Sequence, residues 1–296
     1  MTDDRAQPKK TRPGALARAG RAALSVALLL GVVLWIGACM NLGERLAYFP
    51  SRDAFVTPAG VEDVSFRSAD GTALHGWFMP AAGGERGPVV VHAHGNAGHI
   101  ANHAAFSAFL RERGIHVFLF DYRGYGRSAD VRPTRAALIE DTRAALRAAR
   151  GHPLADPDRV GMYGVSLGGA FALPVAAEDE RVRVVVTLSA FSTWRGVAHD
   201  WAPALGPVLI RGGHDPEDAA ARLGDRPYLI AHGDADRVIH PRHAQRLRDS
   251  SRSAGVQAEI MIVPGADHNS ILQTHPEAAD AIAAFFTEHL AERRTP

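Results

Sequence analysis

The 296 residues include one cysteine, Cys39. A single thiol cannot close an internal disulfide, nor supply the paired cysteines of a structural zinc site. Charge of one sign is also lacking: 33 Lys and Arg stand against 32 Asp and Glu, for a formal net charge of +1. No basic stripe long enough to hold nucleic acid occurs outside the N-terminus, so nucleic acid is excluded as a partner. There is no internal repeat, and no low-complexity tract beyond the polar N-terminal tail. The chain as a whole, 46% hydrophobic and 22% charged, has an ordinary globular composition. It suffices for one large core or at most two small ones.

The N-terminus differs from the rest. Residues 5–21 carry Arg5, Lys9, Lys10, Arg12, Arg18 and Arg21, and residues 22–38, AALSVALLLGVVLWIGA, then run without a charge. That run is at the short end for a membrane span. Its positive flank marks 1–21 as a cytoplasmic tail and puts the remainder on the extracytoplasmic side, the periplasm in a bacterium. A second reading is a cleaved signal, because Ile36-Gly37-Ala38-Cys39 looks like a bacterial lipobox with Cys39 as the acylated residue. A buried core helix fits poorly, since the segment is apolar on all sides and follows a polar, Pro-containing tail. Residues 22–40 are therefore expected to tether the protein to a membrane, as anchor or as lipoprotein signal.

From residue 61 onward strands and helices alternate. Residues 61–67 and 72–79 flank Ala69-Asp70-Gly71, a hairpin signal. Strands are expected at 88–95, 115–124, 159–166, 182–190, 227–233 and 258–265. Helices are expected after residue 99 up to Gly114, with Phe106, Phe109 and Leu110 on one face, and at 134–150, after 166, near 242–253 and at 276–292. Near-continuous apolar strands between helices predict an α/β fold: a mostly parallel central sheet covered by helices on both faces. Ligands bind such sheets at the carboxyl ends of the strands.

The stretch GMYGVSLGGAF (161–171) places Ser166 between Gly164 and Gly168, with a strand pattern before it and a helix pattern after. In G-x-S-x-G the serine sits on a sharp strand-to-helix turn that lifts its Oγ above the sheet. The N–H of Leu167 is then free to face a developing oxyanion. A plain tight turn is the bland alternative. A serine hydroxyl needs a base, and GADHNS (265–270) offers His268 on the loop after the last strand, although 15 histidines make a surface histidine a real alternative. The acid is expected after the preceding strand, where Asp234-Ala235-Asp236 stands; Asp236 is the choice and Asp234 the alternative. HGNAGH (94–99) follows another strand, and the N–H of Asn96 is the second oxyanion candidate. Serine, acid and histidine thus occur in the order Ser166, Asp236, His268.

In combination, HGNAG (94–98), FDYRGYGRS (120–128), GVSLGG (164–169), HGDAD (232–236) and GADH (265–268) make the chain from about residue 47 to the end resemble an α/β-hydrolase. The resemblance is to the serine aminopeptidase-like branch, and within it to membrane-anchored members with HGNxG and DYRGYG segments. It implies Ser166 as nucleophile, Asp236 as acid, His268 as base, Asn96 and Leu167 as oxyanion donors, and no cofactor or metal. In one departure, His240 precedes Pro241 where such proteins carry proline at once, which loosens the acid loop. A short cap is expected at about 191–225, containing Trp194, Trp201 and the run Ala202–Ile210.

Two other motifs compete. Gly124-Tyr125-Gly126-Arg127-Ser128-Ala129 fits a dinucleotide fingerprint, but Pro133 interrupts the helix it needs, and Glu140 and Asp141 lie in a helical pattern. His92, His94, His99 and His103 are dense enough to suggest a metallohydrolase, yet no carboxylate or cysteine in that stretch completes a site. The sequence therefore predicts a serine hydrolase acting through an acyl-enzyme on an ester, thioester or amide. A carboxylesterase for small acyl substrates of short to medium chain fits best. An inactive membrane-tethered binding module is the alternative.

Overall fold

The β-branched runs assemble into a single sheet. The computed structural model describes residues 15–292, so Arg5, Lys9, Lys10 and Arg12 of the expected tail lie outside the described residues. The strands are β1 (Glu62–Arg67), β2 (Ala73–Met79), β3 (Gly87–Ala93), β4 (His116–Asp121), β5 (Ala155–Val165), β6 (Val182–Leu188), β7 (Tyr228–Gly233) and β8 (Ala258–Val263). They lie in the order β1-β2-β4-β3-β5-β6-β7-β8. The pairs β1–β2 and β2–β4 are antiparallel and every other pair is parallel. The expected hairpin joins β1 to β2, with Gly71 at φ +85°.

Helices α1 (Ala15–Cys39) and α2 (Leu42–Arg45) precede the sheet. α3 (Ile100–His103) follows β3, α4 (Arg135–Arg150) follows β4 and α5 (Gly169–Glu178) follows β5. Between β6 and β7 come α6 (Trp194–Trp201), α7 (Gly206–Leu209) and α8 (Pro216–Ala220). α9 (Arg242–Ser253) follows β7, and α10 (Ile271–Thr274) and α11 (Pro276–His289) follow β8.

Alternate side chains of a strand point to opposite faces. Val89 and Val91 join one core layer with Leu146 of α4, Phe171 of α5 and Leu247 of α9. Val90 joins the other with Ile282 and Phe286 of α11. Both faces are covered, which is why the strands read as unbroken apolar runs. Each such side chain contributes roughly 1.5–3 kcal/mol on burial.

Register aligns the strand ends. Ala93 stands beside Gly164, Gly164 beside Thr187, Leu188 beside Ala231, and Gly233 beside Val263. The loops after β3, β5, β7 and β8 therefore leave the sheet along one edge.

The segment after β3 departs from expectation. It is not one helix but a single turn, α3, followed by 3₁₀ segments at Ala104–Phe106 and Ala108–Arg113. Ser107 breaks it: at φ −138° and ψ −8° it is off the helical path, and its buried hydroxyl pairs with His92 Nδ1 at 2.8 Å. Leu110 is fully buried, whereas Phe106 and Phe109 are half-buried. Gly114, at φ +74°, ends the segment. α1 is the helix among the described residues long and apolar enough to cross a membrane, a property that anchors and signal sequences share.

Candidate active site

The corner after β5 is built around its glycines. Ser166 has φ +52°, in the left-handed region. β5 turns there through a 3₁₀ segment, Ser166–Gly168, straight into α5. A Cβ on Gly164 would stand 2.6 Å from Gly169 Cα, and one on Gly168 1.8 Å from the Ala93 carbonyl oxygen. A Cβ on Gly169 would stand 2.5 Å from Ala190 Cβ. GVSLGG is therefore what lets helix, corner and the end of β3 meet.

His268, after β8, approaches Ser166 Oγ with Nε2 at 3.0 Å. Its Nδ1 lies 2.7 Å from Asp236 Oδ2. An ionised carboxylate only accepts, so Nδ1 carries the proton and Nε2 presents its lone pair to the serine. The Asp236 Oδ1 accepts the N–H groups of Val238 and Ile239, both at 2.8 Å. Burial alone would push the Asp236 carboxyl up, but hydrogen bonds from His232 and His268 outweigh it and hold the group well below the usual carboxylate range. Asp234 does not reach His268. Its exposed carboxylate accepts Gly265 N–H at 2.6 Å and ties the loops after β7 and β8 together.

The loop after β3 passes close to Ser166: a Cβ on Gly95 would stand 3.7 Å from Ser166 Cβ. The N–H of Leu167 opens a helix, where the first N–H groups have no partner within the helix. Among the described residues, the N–H of Asn96 finds no backbone hydrogen-bond acceptor. The side chain of Asn96 does something the sequence did not reveal. Its Oδ1 accepts Phe49 N–H and the Tyr125 hydroxyl, both at 3.0 Å, and its Nδ2 donates to Ala47 O at 2.6 Å. The chain just beyond α2 is thereby stapled to this loop. Tyr122 donates its hydroxyl to His94 O at 3.0 Å. FDYRGYGRS is thus the support behind the loop. A Cβ on Gly126 would strike the Asp121 carboxylate at 2.2 Å, and Asp141 is buried against Arg123.

The dense histidines pack inside the fold. His94 stacks on His103 with centroids 4.9 Å apart, and His103 Nε2 pairs with Ala97 O at 2.7 Å. Burial pushes His92, His94 and His103 down, so they are neutral. Among the described residues, no three His, Cys, Asp or Glu side chains converge to hold a metal ion.

Ser166, His268, Leu167 and Asn96 share one cavity of about 580 Å³. Its walls are apolar, with Phe191, Trp194, Trp201 and Leu205 supplied by the segment between β6 and β7. Residues 43–49, to which the sequence reading assigned no role, supply a further wall through Gly43, Leu46, Ala47 and Phe49. Trp194 is buried beneath it, whereas Trp201 is 54% exposed at its rim.

Comparison with known proteins agrees with this geometry. The chain is 32% identical over 250 residues to the uncharacterized protein YfhR of Escherichia coli (strain K12), covering 81% of this chain and 86% of that one. In fold it matches an esterase of Pyrococcus furiosus with a TM-score of 0.69 at 18% identity, covering 82% of this chain and all of that one. It also matches an acylaminoacyl peptidase of Pyrococcus horikoshii with a TM-score of 0.66 at 18% identity, covering 80% of this chain and 42% of that one. The model of the prolyl oligopeptidase family matches residues 103–293, which include Ser166, Asp236 and His268. The chain therefore belongs to the prolyl oligopeptidase family, as a serine hydrolase of α/β-hydrolase fold.

Proposed function

We propose that the protein is a carboxylesterase for short to medium acyl chains, working through an acyl-enzyme on Ser166. The observation that carries this reading is the hydrogen-bonded chain Ser166–His268–Asp236 at the floor of an apolar cavity. His268 Nε2 takes the hydroxyl proton as Ser166 Oγ attacks the ester carbonyl. The N–H groups of Asn96 and Leu167 stabilise the oxyanion. Asp236 holds the Nδ1–H tautomer and stabilises the imidazolium. His268 then returns the proton to the leaving alcohol, and water repeats the cycle, releasing the acid and restoring Ser166. Thioesters and amides undergo the same acyl transfer. The finer placement, among membrane-anchored members of a serine aminopeptidase-like branch, rests on HGNAG and FDYRGYGRS. In this reading residues 22–40 tether the protein, 1–21 stay in the cytoplasm, and 47–296 form an extracytoplasmic hydrolase unit with its short cap at about 191–225.

A fluorophosphonate probe on the full chain tests it. Labelling is expected in wild type and absent in Ser166→Ala. A folded wild type that stays unlabelled would turn the reading to a binding module. Hydrolysis across a panel of acyl esters is expected to peak at short to medium chains, and a peak at very long chains would contradict the substrate class.

A further inference from the structure

The exposed apolar side chains are not scattered. Outside α1, and among the described residues, every exposed large hydrophobic residue except Val56, Val131 and Ile262 belongs to the cavity mouth or to the stretches flanking it. Leu46, Phe49, Trp201, Leu205 and Val238 line the cavity and are still 40–65% exposed, and Val208 beside them is 48% exposed. Soluble proteins rarely leave an apolar surface so concentrated, and such a patch marks a contact with protein or membrane.

The end of α1 identifies the contact. α1 does not lead into a loose linker. A Cβ on Gly37 would stand 2.9 Å from Leu209 Cδ2, so the last turn of the apolar helix lies against α7 of the cap. The Arg211 side chain donates to the carbonyls of Ala38 and Cys39, and its backbone N–H donates to Asn41 Oδ1 at 3.0 Å. A cation there suits the negative end of a helix dipole. α2 follows at once, and its neighbour Leu46 is already in the cavity wall. The apolar rim is thus continuous with the helix that reads as the membrane segment. If residues up to 38 were removed and Cys39 acylated, the same rim would still begin at the lipid surface.

We propose that this rim sits in the surface of the bilayer, so that the cavity opens onto lipid and takes its substrate from it: the acyl ester of a membrane-resident amphiphile. The inference rests on the esterase reading above and on α1 as a membrane tether. Water cleaves the ester bond; the acyl part leaves as a carboxylic acid and the rest as an alcohol.

The test uses the full chain in phosphatidylcholine vesicles. Trp77 and Trp194 are buried, so in a Trp35→Phe background Trp201 is the one tryptophan exposed to solvent or lipid. Brominated phosphatidylcholine is expected to quench that background, and a second change, Trp201→Phe, is expected to abolish the quenching. A Trp35→Phe protein that lipid bromine leaves unquenched overturns the proposal. If cross-linking then shows two chains joined at Val208, the rim is an interface between copies. Val208 lies outside the cavity lining, so Val208→Asp gives a second arm. It is expected to slow hydrolysis of 1-decanoylglycerol in the vesicles at least fivefold and to leave a water-soluble acetyl ester unchanged. A Val208→Asp variant that hydrolyses 1-decanoylglycerol at the wild-type rate, or that loses the acetyl ester equally, overturns the proposal. Failure of wild type to cleave either ester would count against the esterase reading, while the quenching still decides where the rim lies.

Discussion

Ser166 occupies a backbone region that costs of order 1–3 kcal/mol for a residue with a side chain. The surrounding glycines leave the room in which that conformation can be held. Gly168 is the tightest: its hypothetical Cβ lies 1.8 Å from the backbone oxygen of Ala93, which cannot swing away as a side chain can. Gly168→Ala is expected to cost more than about 3 kcal/mol, at the upper end for overpacking, or to prevent folding. Urea denaturation reads this, and a loss under 1 kcal/mol would show that β3 and the corner are not in contact. The two acids behind the last loops are separated by their partners. Asp236→Asn offers His268 an amide and favours the wrong tautomer, so a fall in kcat of about 10⁴-fold is expected with the fold intact. Asp234→Asn weakens one loop tie to Gly265 and should leave kcat within a few-fold. The reverse ranking would move the acid's role to Asp234. Ser166, His268 and the pair of candidate acids were legible because the motif and the strand order fix where they emerge. Between the acids the sequence favoured Asp236 and kept Asp234 open; the contacts that separate them, His268 Nδ1 on Asp236 and the Gly265 N–H on Asp234, join loops far apart in the chain and leave no local signal.

At the level of elements, the segment between β6 and β7 is locked to α9 by a buried histidine. His243 on α9 accepts Ser192 N–H at Nδ1, at 3.1 Å, and its Nε2 faces the Asp200 carboxylate of α6 at 3.1 Å. Ser192 and His243 are fully buried, away from the cavity, so this second Ser–His–Asp arrangement is a structural clamp. Protonation at Nδ1 would place two hydrogens head to head. Burial, then Arg242 and Arg246, push His243 down to about 4. In the unfolded chain the group titrates near 6.5. The unfolded state therefore binds the extra proton first as pH falls, and the stability from this group, complete above about pH 6.5, is lost on the way down to about 4. In that window, His243→Gln is expected to remove up to one proton from the slope, about 1.4 kcal/mol per pH unit. Denaturation at pH 5 and 7 would show it, and an unchanged slope would mean His243 is not clamped as a neutral ring. Neither this clamp nor the broken segment after β3 could be read in sequence, because hydrophobic periodicity carries no sign of the buried Ser192–His243 and Ser107–His92 contacts. The strands and the long helices α4, α9 and α11 were legible because each carries its own period and end signals.

Across the whole molecule, the end of α1, α2, the segment between β6 and β7 and the loop after β3 are joined in one network. Arg135 stacks on the Trp194 ring with its guanidinium carbon 4.1 Å from the centroid and donates to Arg211 O at 3.0 Å. Glu44 of α2 accepts the Arg135 backbone N–H. Asn96 then pins residues 47–49 to the loop beside Ser166. These long-range contacts are what the sequence could not supply: it assigned residues 41–46 no role, and it offered Asn96 only as a backbone donor. The distinction between its backbone and its side chain gives the last prediction. Asn96→Ala keeps the N–H proposed to face the oxyanion and removes three side-chain hydrogen bonds, each contributing about 0.5–1.5 kcal/mol. The stretch after α2 should then open locally, with trypsin cutting after Arg45 or Arg52 well before the sheet is attacked. The rate of fluorophosphonate labelling should fall by no more than about tenfold, because the reacting groups and their donors stay in place while one wall of the cavity loosens. A thousandfold loss with no change in proteolysis would instead mean that the Asn96 amide acts on the reacting atoms, and the staple between tether and site would have to be abandoned.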